Sequence, residues 1–251
     1  MDISMSRSNA TAAPGTAAKW SVALLICGVC ITISYFFVDR PFAYFAHNEL
    51  GGYRATFDLV GRLPKVLGPL VIGCTLIFGV RAVMGRPLTE IQTAIVLSAL
   101  SLAFSAILEN WLKFAFGRTW PETWVQDNPS LIRDGVHNFN PFHGGRGFAA
   151  FPSGHMVAIS AITSAFWFLH PRLRWILAIC IATVFIGQLG ANYHFVSDLI
   201  AGGFVGCGIC HHCARALRCS LRRCRRIVRQ PSRATCHLDG ARQDTGDVFD
   251  L

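Results

Sequence analysis

Phe151-Pro152-Ser153-Gly154-His155 opens an apolar run over 155–169, and further along His194-Phe195-Val196-Ser197-Asp198 opens another over 199–211. A proline, a small-residue turn and then a long apolar segment is how a buried helix begins. Similar runs occupy 20–38, 66–83, 88–108 (continuing toward Phe116) and 175–193. About 20 apolar residues cross the hydrocarbon core of a bilayer. The sequence therefore predicts an all-α fold, a polytopic membrane helical bundle of about six transmembrane helices, with the fourth and sixth runs short for the task.

Composition agrees. Of 251 residues, 52% are hydrophobic and only 15% charged, against about 25% charged in a soluble globule. The formal net charge is +9, but the arginines concentrate in 215–242, after the last apolar run. A basic tail beside a span reflects topology and anionic headgroups. No basic motif with interleaved aromatics accompanies it, so no nucleic-acid partner is expected. The expected organisation is a disordered cytoplasmic N-terminus over 1–19, a six-span membrane domain over 20–215 and a basic, cysteine-rich cytoplasmic tail over 216–251. Much of the chain after Arg222 is expected to be unstructured. The first run is longer than a signal-peptide core and no A-x-A site closely follows it, which reads as an uncleaved anchor. No internal repeat is visible.

The ten cysteines fall into two groups. Cys27, Cys30, Cys74 and Cys180 lie inside apolar runs, where a thiol behaves as a small hydrophobe. Cys207-Gly-Ile-Cys210-His211 has the spelling of a haem-attachment site, but at the cytoplasmic end of a span. Cys207, Cys210, Cys213 and His212 are too tightly spaced along one short helix to wrap a tetrahedral zinc ion. No metal and no cofactor are expected.

Six spans place both termini on one side. The arginine tail and the short basic links 81–86 and 172–174 make that side cytoplasmic by the positive-inside rule. The link 39–65, the loop 117–152 and the turn 193–197 then share the opposite face. Lys113, Arg118, Ser153, His155, His194 and Asp198 all gather there, from three separate parts of the chain.

Those residue types can handle a phosphate. His194 and Asp198 are four apart and share a helix face, so the carboxylate can hold one ring nitrogen and leave the other as a nucleophile. Ser153 is a good N-cap, and the helix it starts offers amide N–H groups and a dipole end to an anion. Gly154 permits close backbone approach, and His155 on the first turn is placed to protonate a departing oxygen. Lys113 and Arg118 offer a point charge and a fork. Each feature has a plainer explanation too: a helix-end pair, a simple cap, and an ion pair between Lys113 and Glu109 four residues before it.

Taken together, Lys113…Pro121, Pro152-Ser153-Gly154-His155 and His194…Asp198 resemble the three signature blocks of the type 2 phosphatidic acid phosphatases, which share a core with the vanadium haloperoxidases. The resemblance runs from about Leu88 to Gly206, and the second block matches in full. It implies that His194 attacks phosphorus, Asp198 orients it and His155 protonates the leaving group. Lys113, Ser153 and Gly154 would hold the phosphate oxygens. Two positions depart from the family pattern. Trp120 stands at the first-block arginine, and Gly187-Gln188 replaces the third-block Ser-Arg pair. A charged hydrogen bond contributes roughly 1.5–3 kcal/mol, so each loss weakens transition-state binding by about one to two orders of magnitude. Arg118, and Arg146 in the turn 144–147, are the candidates to supply the missing charge. The aromatic stretches 120–124 and 139–148 read as a headgroup-level belt or as a lid.

The resulting expectation is a lipid phosphatase of the inner membrane of a bacterium, with its site facing the periplasm. It would hydrolyse a phosphomonoester or diphosphate through a phosphohistidine. Isoprenoid diphosphate, phosphatidic acid, phosphatidylglycerol phosphate and lipid A phosphate are all compatible with the residues. A headgroup transferase using an alcohol acceptor and a catalytically silent scaffold are the rival readings. Oligomeric state is not legible.

Overall fold

The structure, a computed structural model, describes residues 15–124 and 127–229. Among the described residues its regular elements are helices, and the loop 117–153 is largely irregular. The chain enters with α1 (Thr16–Ile33), passes through a π-helical turn (Ser34–Val38) into α2 (Asp39–Leu50), and a 3-10 turn (Gly51–Tyr53) leads to α3 (Arg54–Gly61). Then follow α4 (Leu63–Val83), α5 (Glu90–Phe116), the one-turn α6 (Leu131–Asp134), α7 (Gly154–Leu169), α8 (Arg174–Gly190) and α9 (Val196–Arg229). Among the described residues extended pairing is confined to isolated bridges such as Arg118 with Phe139 and Trp120 with Ser130.

Each of the six apolar runs lies on a helix. Among the described residues three helical stretches suffice by length and hydropathy to cross a membrane: Ala18–Val83, which contains two of the runs, Glu90–Phe116 and Pro171–Gly190; Gly154–Leu169 is apolar but shorter. Their outward faces carry large apolar side chains, among them Leu25, Phe37, Leu76, Trp111, Ile176 and Ile186. So broad an apolar coat would drive aggregation in water; in lipid it is the solvent-facing surface. The chain is an integral membrane protein.

Inside, small and hydroxyl residues replace bulk. α7 packs against α5 and α8, α4 against α5, and α3 against α8. Ser98 on α5 bonds its own Ala94 carbonyl at 2.9 Å and the Ile162 carbonyl of α7 at 3.0 Å. That single hydroxyl ties two helices where no water competes. Met156, Ile159, Val184 and Leu199 form the apolar cluster between α7, α8 and α9.

Local signals set the helix ends near the site. Thr89 and Gln92 form a reciprocal capping box that starts α5. Gly117 ends it in the left-handed region at φ 54°, where a Cβ would collide with the Asn140 carbonyl. The start of α9 meets the start of α7: Ser153 N–H donates to the Asp198 carbonyl at 3.1 Å. A Cβ on Gly202 of α9 would lie 2.6 Å from the Ser153 carbonyl. The two helix N-termini thus sit side by side because Gly202 leaves room.

Three boundaries differ from expectation. α1 begins at Thr16, before Trp20, because Ala17, Ala18 and Lys19 are good helix formers. α9 begins at Val196 and continues to Arg229, since no glycine or proline interrupts the Arg- and Leu-rich stretch after Gly208. The link 39–65 is not a passive connection but two helices packed onto the bundle. The expected disorder of residues 1–14 and 230–251 lies outside the described residues. The chain divides into two units, Met1–His211 and His212–Leu251, and the site lies wholly in the first.

Candidate active site

A cavity of about 600 Å³ opens at the end of the bundle where α5, α7 and α9 begin or finish. His155, Gly154, His194, Lys113, Glu109 and Lys65 are among the side chains and backbone that line it. Trp120 and Trp124 form its wall together with Tyr193 and Gln188. The aromatic stretch 120–124 is therefore part of the pocket. Its indole rings are also tied inward: Trp120 Nε1 donates to the Arg146 carbonyl at 2.9 Å, and Trp124 Nε1 to the Asn192 carbonyl at 3.3 Å.

His194 is buried, with its Nδ1 3.6 Å from Asp198 Oδ2. That separation is too long for a hydrogen bond, and Nδ1 has no partner among the described residues. Catalytic hydrogen bonds are commonly loose before substrate arrives. With Nδ1 facing Asp198, Nε2 is the nitrogen left for the cavity. The Trp120 ring lies 5.1 Å from the imidazole, centroid to centroid. His155, half-buried on the first turn of α7, lies within electrostatic reach of His194, Lys113 and Lys65.

Asp198 is held firmly from behind. Its Oδ2 accepts the Phe195 N–H at 3.0 Å and its Oδ1 accepts Arg118 Nη1 at 2.6 Å. Arg118 is completely buried and also pairs through Nη2 with Asp39 at 2.7 Å. Its guanidinium stacks over Phe195, Phe139 and Tyr35 at 4.5–5.1 Å. Asp39 in turn accepts the Ser197 N–H at 3.0 Å. Arg118 therefore does not reach the cavity as a phosphate ligand, because two carboxylates and three aromatic faces consume its side chain. Arg146 is likewise displaced from the expected role: it is exposed, in the 3-10 turn Arg146–Phe148, and does not line the cavity.

The remaining candidates divide similarly. Lys113 lines the cavity with its ammonium 2.5 Å from Glu109 Oε1, so the plain ion pair is present within the site. That same carboxylate oxygen is 2.5 Å from where a Cβ on Gly154 would stand; glycine here lets an acid approach the α7 N-terminus. Ser153 holds the N-cap position but its side chain makes no capping bond. Its Oγ is fully buried and unpaired among the described residues. Gln188 turns its amide nitrogen to the Gly61 carbonyl at 3.4 Å and offers the cavity no charge.

Sequence reasoning missed four contributors. Asp39 and Lys65 lie in what read as a linker. Glu122 is buried where Arg54, His47 and Asn192 converge on it at 2.5, 3.0 and 2.8 Å, which pins the turn carrying His194 to α2 and α3. Tyr193 walls the pocket. One signal was available: Arg54, Asp58 and Arg62 recur every four residues with Lys65 one turn on, a charged helical face at a predicted membrane edge. Among the described residues no cysteine of the first unit forms a disulfide, and Ser164 Oγ bonds Cys207 Sγ at 3.2 Å. Among the described residues no three His, Cys, Asp or Glu gather as metal ligands.

Residues 94–220 match the PAP2 superfamily. The chain is 34% identical over 102 residues to lipid A 1-phosphatases of Rhizobium etli and Rhizobium johnstonii, covering 41% of this chain and 41% and 39% of theirs. The alignment thus spans about two fifths of the length of those curated relatives. A crystal structure of a transmembrane PAP2-type phosphatidylglycerolphosphate phosphatase from Bacillus subtilis overlaps with a TM-score of 0.49 at 17% identity, covering 80% of this chain and 95% of that one.

Proposed function

The chain belongs to the PAP2 superfamily, and we propose that it is a membrane phosphatase acting on a lipid phosphate through a phosphohistidine. The observation that carries this reading is the gathering of His155, His194, Lys113 and Gly154 around one cavity at adjoining helix N-termini.

The proposed sequence balances simply. His194 Nε2 forms a bond to phosphorus as the bond to the lipid oxygen breaks, and His155 gives that oxygen its proton. The α7 amides, Lys113 and the unpaired Ser153 hydroxyl hold the phosphoryl oxygens where charge develops. His155, now neutral, takes a proton from water as the water oxygen displaces His194 from phosphorus. Asp198 keeps the imidazole oriented, and Arg118 with Asp39 positions Asp198 instead of touching phosphate. His155 ends the cycle protonated again, so water supplies the net proton and His155 relays it.

Apolar helices flanking the cavity suit a substrate whose acyl chains stay in the bilayer. Among the candidates, the relatives' names favour a lipid A phosphate. We place the site at the periplasmic face of six spans, with both termini cytoplasmic, on the distribution of Arg81, Arg86, Arg172 and Arg174. The test is phosphate release from a panel of lipid phosphates by wild type, His194→Ala and His155→Ala. The reading expects one lipid to dominate, His194→Ala to be silent and His155→Ala to lose about 10²–10⁴-fold. Release by His194→Ala at the wild-type rate would overturn it.

A further inference from the structure

Counting fixed charges at the cavity wall exposes a deficit. Lys113 is matched by Glu109 at 2.5 Å. Arg118 is consumed by Asp39 and Asp198, Arg146 lies elsewhere, and the first- and third-block positions hold Trp120 and Gln188. Apart from the His155 proton, which is given up in the reaction, a phosphate dianion would meet a neutral lysine–glutamate pair and a helix N-terminus already approached by a carboxylate.

Lys65 corrects the balance. It stands on the first turn of α4, just after Pro64, and lines the same cavity. Among the described residues no carboxylate pairs with it, in contrast to its neighbour Arg62, which pairs with Asp58. It is exposed toward the opening yet close enough to His155 to act on it electrostatically. It also lies outside the residues 94–220 that match the family.

We propose that Lys65 is a phosphate-binding residue of this active site, supplying from the N-terminal helices the positive charge that Trp120 and Gln188 do not. The inference rests on the phosphatase reading above. A lysine acts as a mobile point charge, so it can follow the phosphoryl group from entry to release, binding ground and transition states alike.

The experiment uses the full chain in detergent, comparing wild type, Lys65→Met, Lys65→Arg and His194→Ala. Substrates are a soluble aryl phosphate and the preferred lipid phosphate in mixed vesicles, with inorganic phosphate as competitive inhibitor. Losing one charge-assisted contact should lower kcat/KM about tenfold to hundredfold, mostly through KM. The inhibition constant of inorganic phosphate should rise by a similar factor, and Lys65→Arg should recover most of both. Lys65 is exposed, so thermal unfolding of Lys65→Met should match wild type; Lys65→Gln serves as the second neutral variant. Unchanged phosphate inhibition in both neutral variants overturns the proposal. So does a defect confined to vesicle substrate, which would make Lys65 a headgroup contact at the membrane surface. If Lys65→Met is neutral while His194→Ala is dead, this inference alone falls. If His194→Ala is active, the underlying reading falls and takes this one with it.

Discussion

Arg118→Met separates a buried positioning network from a phosphate clamp. The substitution keeps the length of the stem but removes a guanidinium with no solvent exposure. Two buried carboxylates within 2.6–2.7 Å of it, Asp198 and Asp39, then lose their shared guanidinium partner. Breaking a buried ion pair by removing one partner costs about 3–5 kcal/mol. At roughly 2–4 °C per kcal/mol for a chain of this size, Tm in detergent should fall by roughly 6–20 °C. Asp198 loses its anchor on Oδ1, and small misplacement of a catalytic group can cost about 10²-fold. The loss should appear in kcat with KM held. Asp39→Asn in the Arg118→Met background should restore part of the stability, since one stranded carboxylate is gone, with a coupling of about 1 kcal/mol or more. Arg133→Met is the control: its partners Asp127 and Asp134 sit at the surface, and stability should be unchanged. The assay is thermal unfolding by intrinsic tryptophan fluorescence beside steady-state kinetics. An Arg118→Met protein as stable as wild type, with raised KM and intact kcat, would refute the network and restore Arg118 as a phosphate ligand.

Gly202→Ala pushes a methyl to within 2.6 Å of the Ser153 carbonyl, so α9 must retreat from α7. A loss of about 1–3 kcal/mol and a fall in kcat should appear together in unfolding and turnover assays; an alanine that leaves both unchanged contradicts the close helix approach. Glu109→Gln removes the acid beside the α7 N-terminus and frees Lys113. Even with water-like screening a like charge at about 4 Å costs about 1 kcal/mol, so inorganic phosphate should inhibit roughly fivefold more tightly. Weaker inhibition would mean that Glu109 matters chiefly by holding Lys113 in place.

Local signals were legible in the sequence and tertiary ones were not. The apolar runs located every long helix, whereas the capping box of Thr89 and Gln92 that starts α5, although written within four residues, was not read. The Pro152-Ser153-Gly154-His155 turn and the His194–Asp198 spacing likewise predicted helix N-termini, and the structure brings both to one cavity. Arg118 misled because its fate depends on partners 79 and 80 residues away, Asp39 and Asp198; an arginine beside a lysine looks like an anion ligand until those acids are placed. Lys65 and Asp39 were passed over for the same reason. The link 39–65 has no long apolar run, yet it folds as α2, α3 and the first turn of α4, and α2 and α3 are pinned to the site by Glu122 and Asn192. The reach of α9 to Arg229 was hidden by charge: an arginine run reads as tail, although arginine is a strong helix former.

The most direct test of the central claim is to catch the covalent intermediate. In His155→Ala, an aryl phosphate whose leaving group needs no added proton should still phosphorylate the enzyme, while hydrolysis stalls without the base. Rapid quenching followed by peptide mass spectrometry should find an acid-labile, alkali-stable phosphoryl group on His194 and none in His155→Ala/His194→Ala. Turnover with no phosphorylated residue, or phosphate carried by any side chain other than His194, would contradict the account.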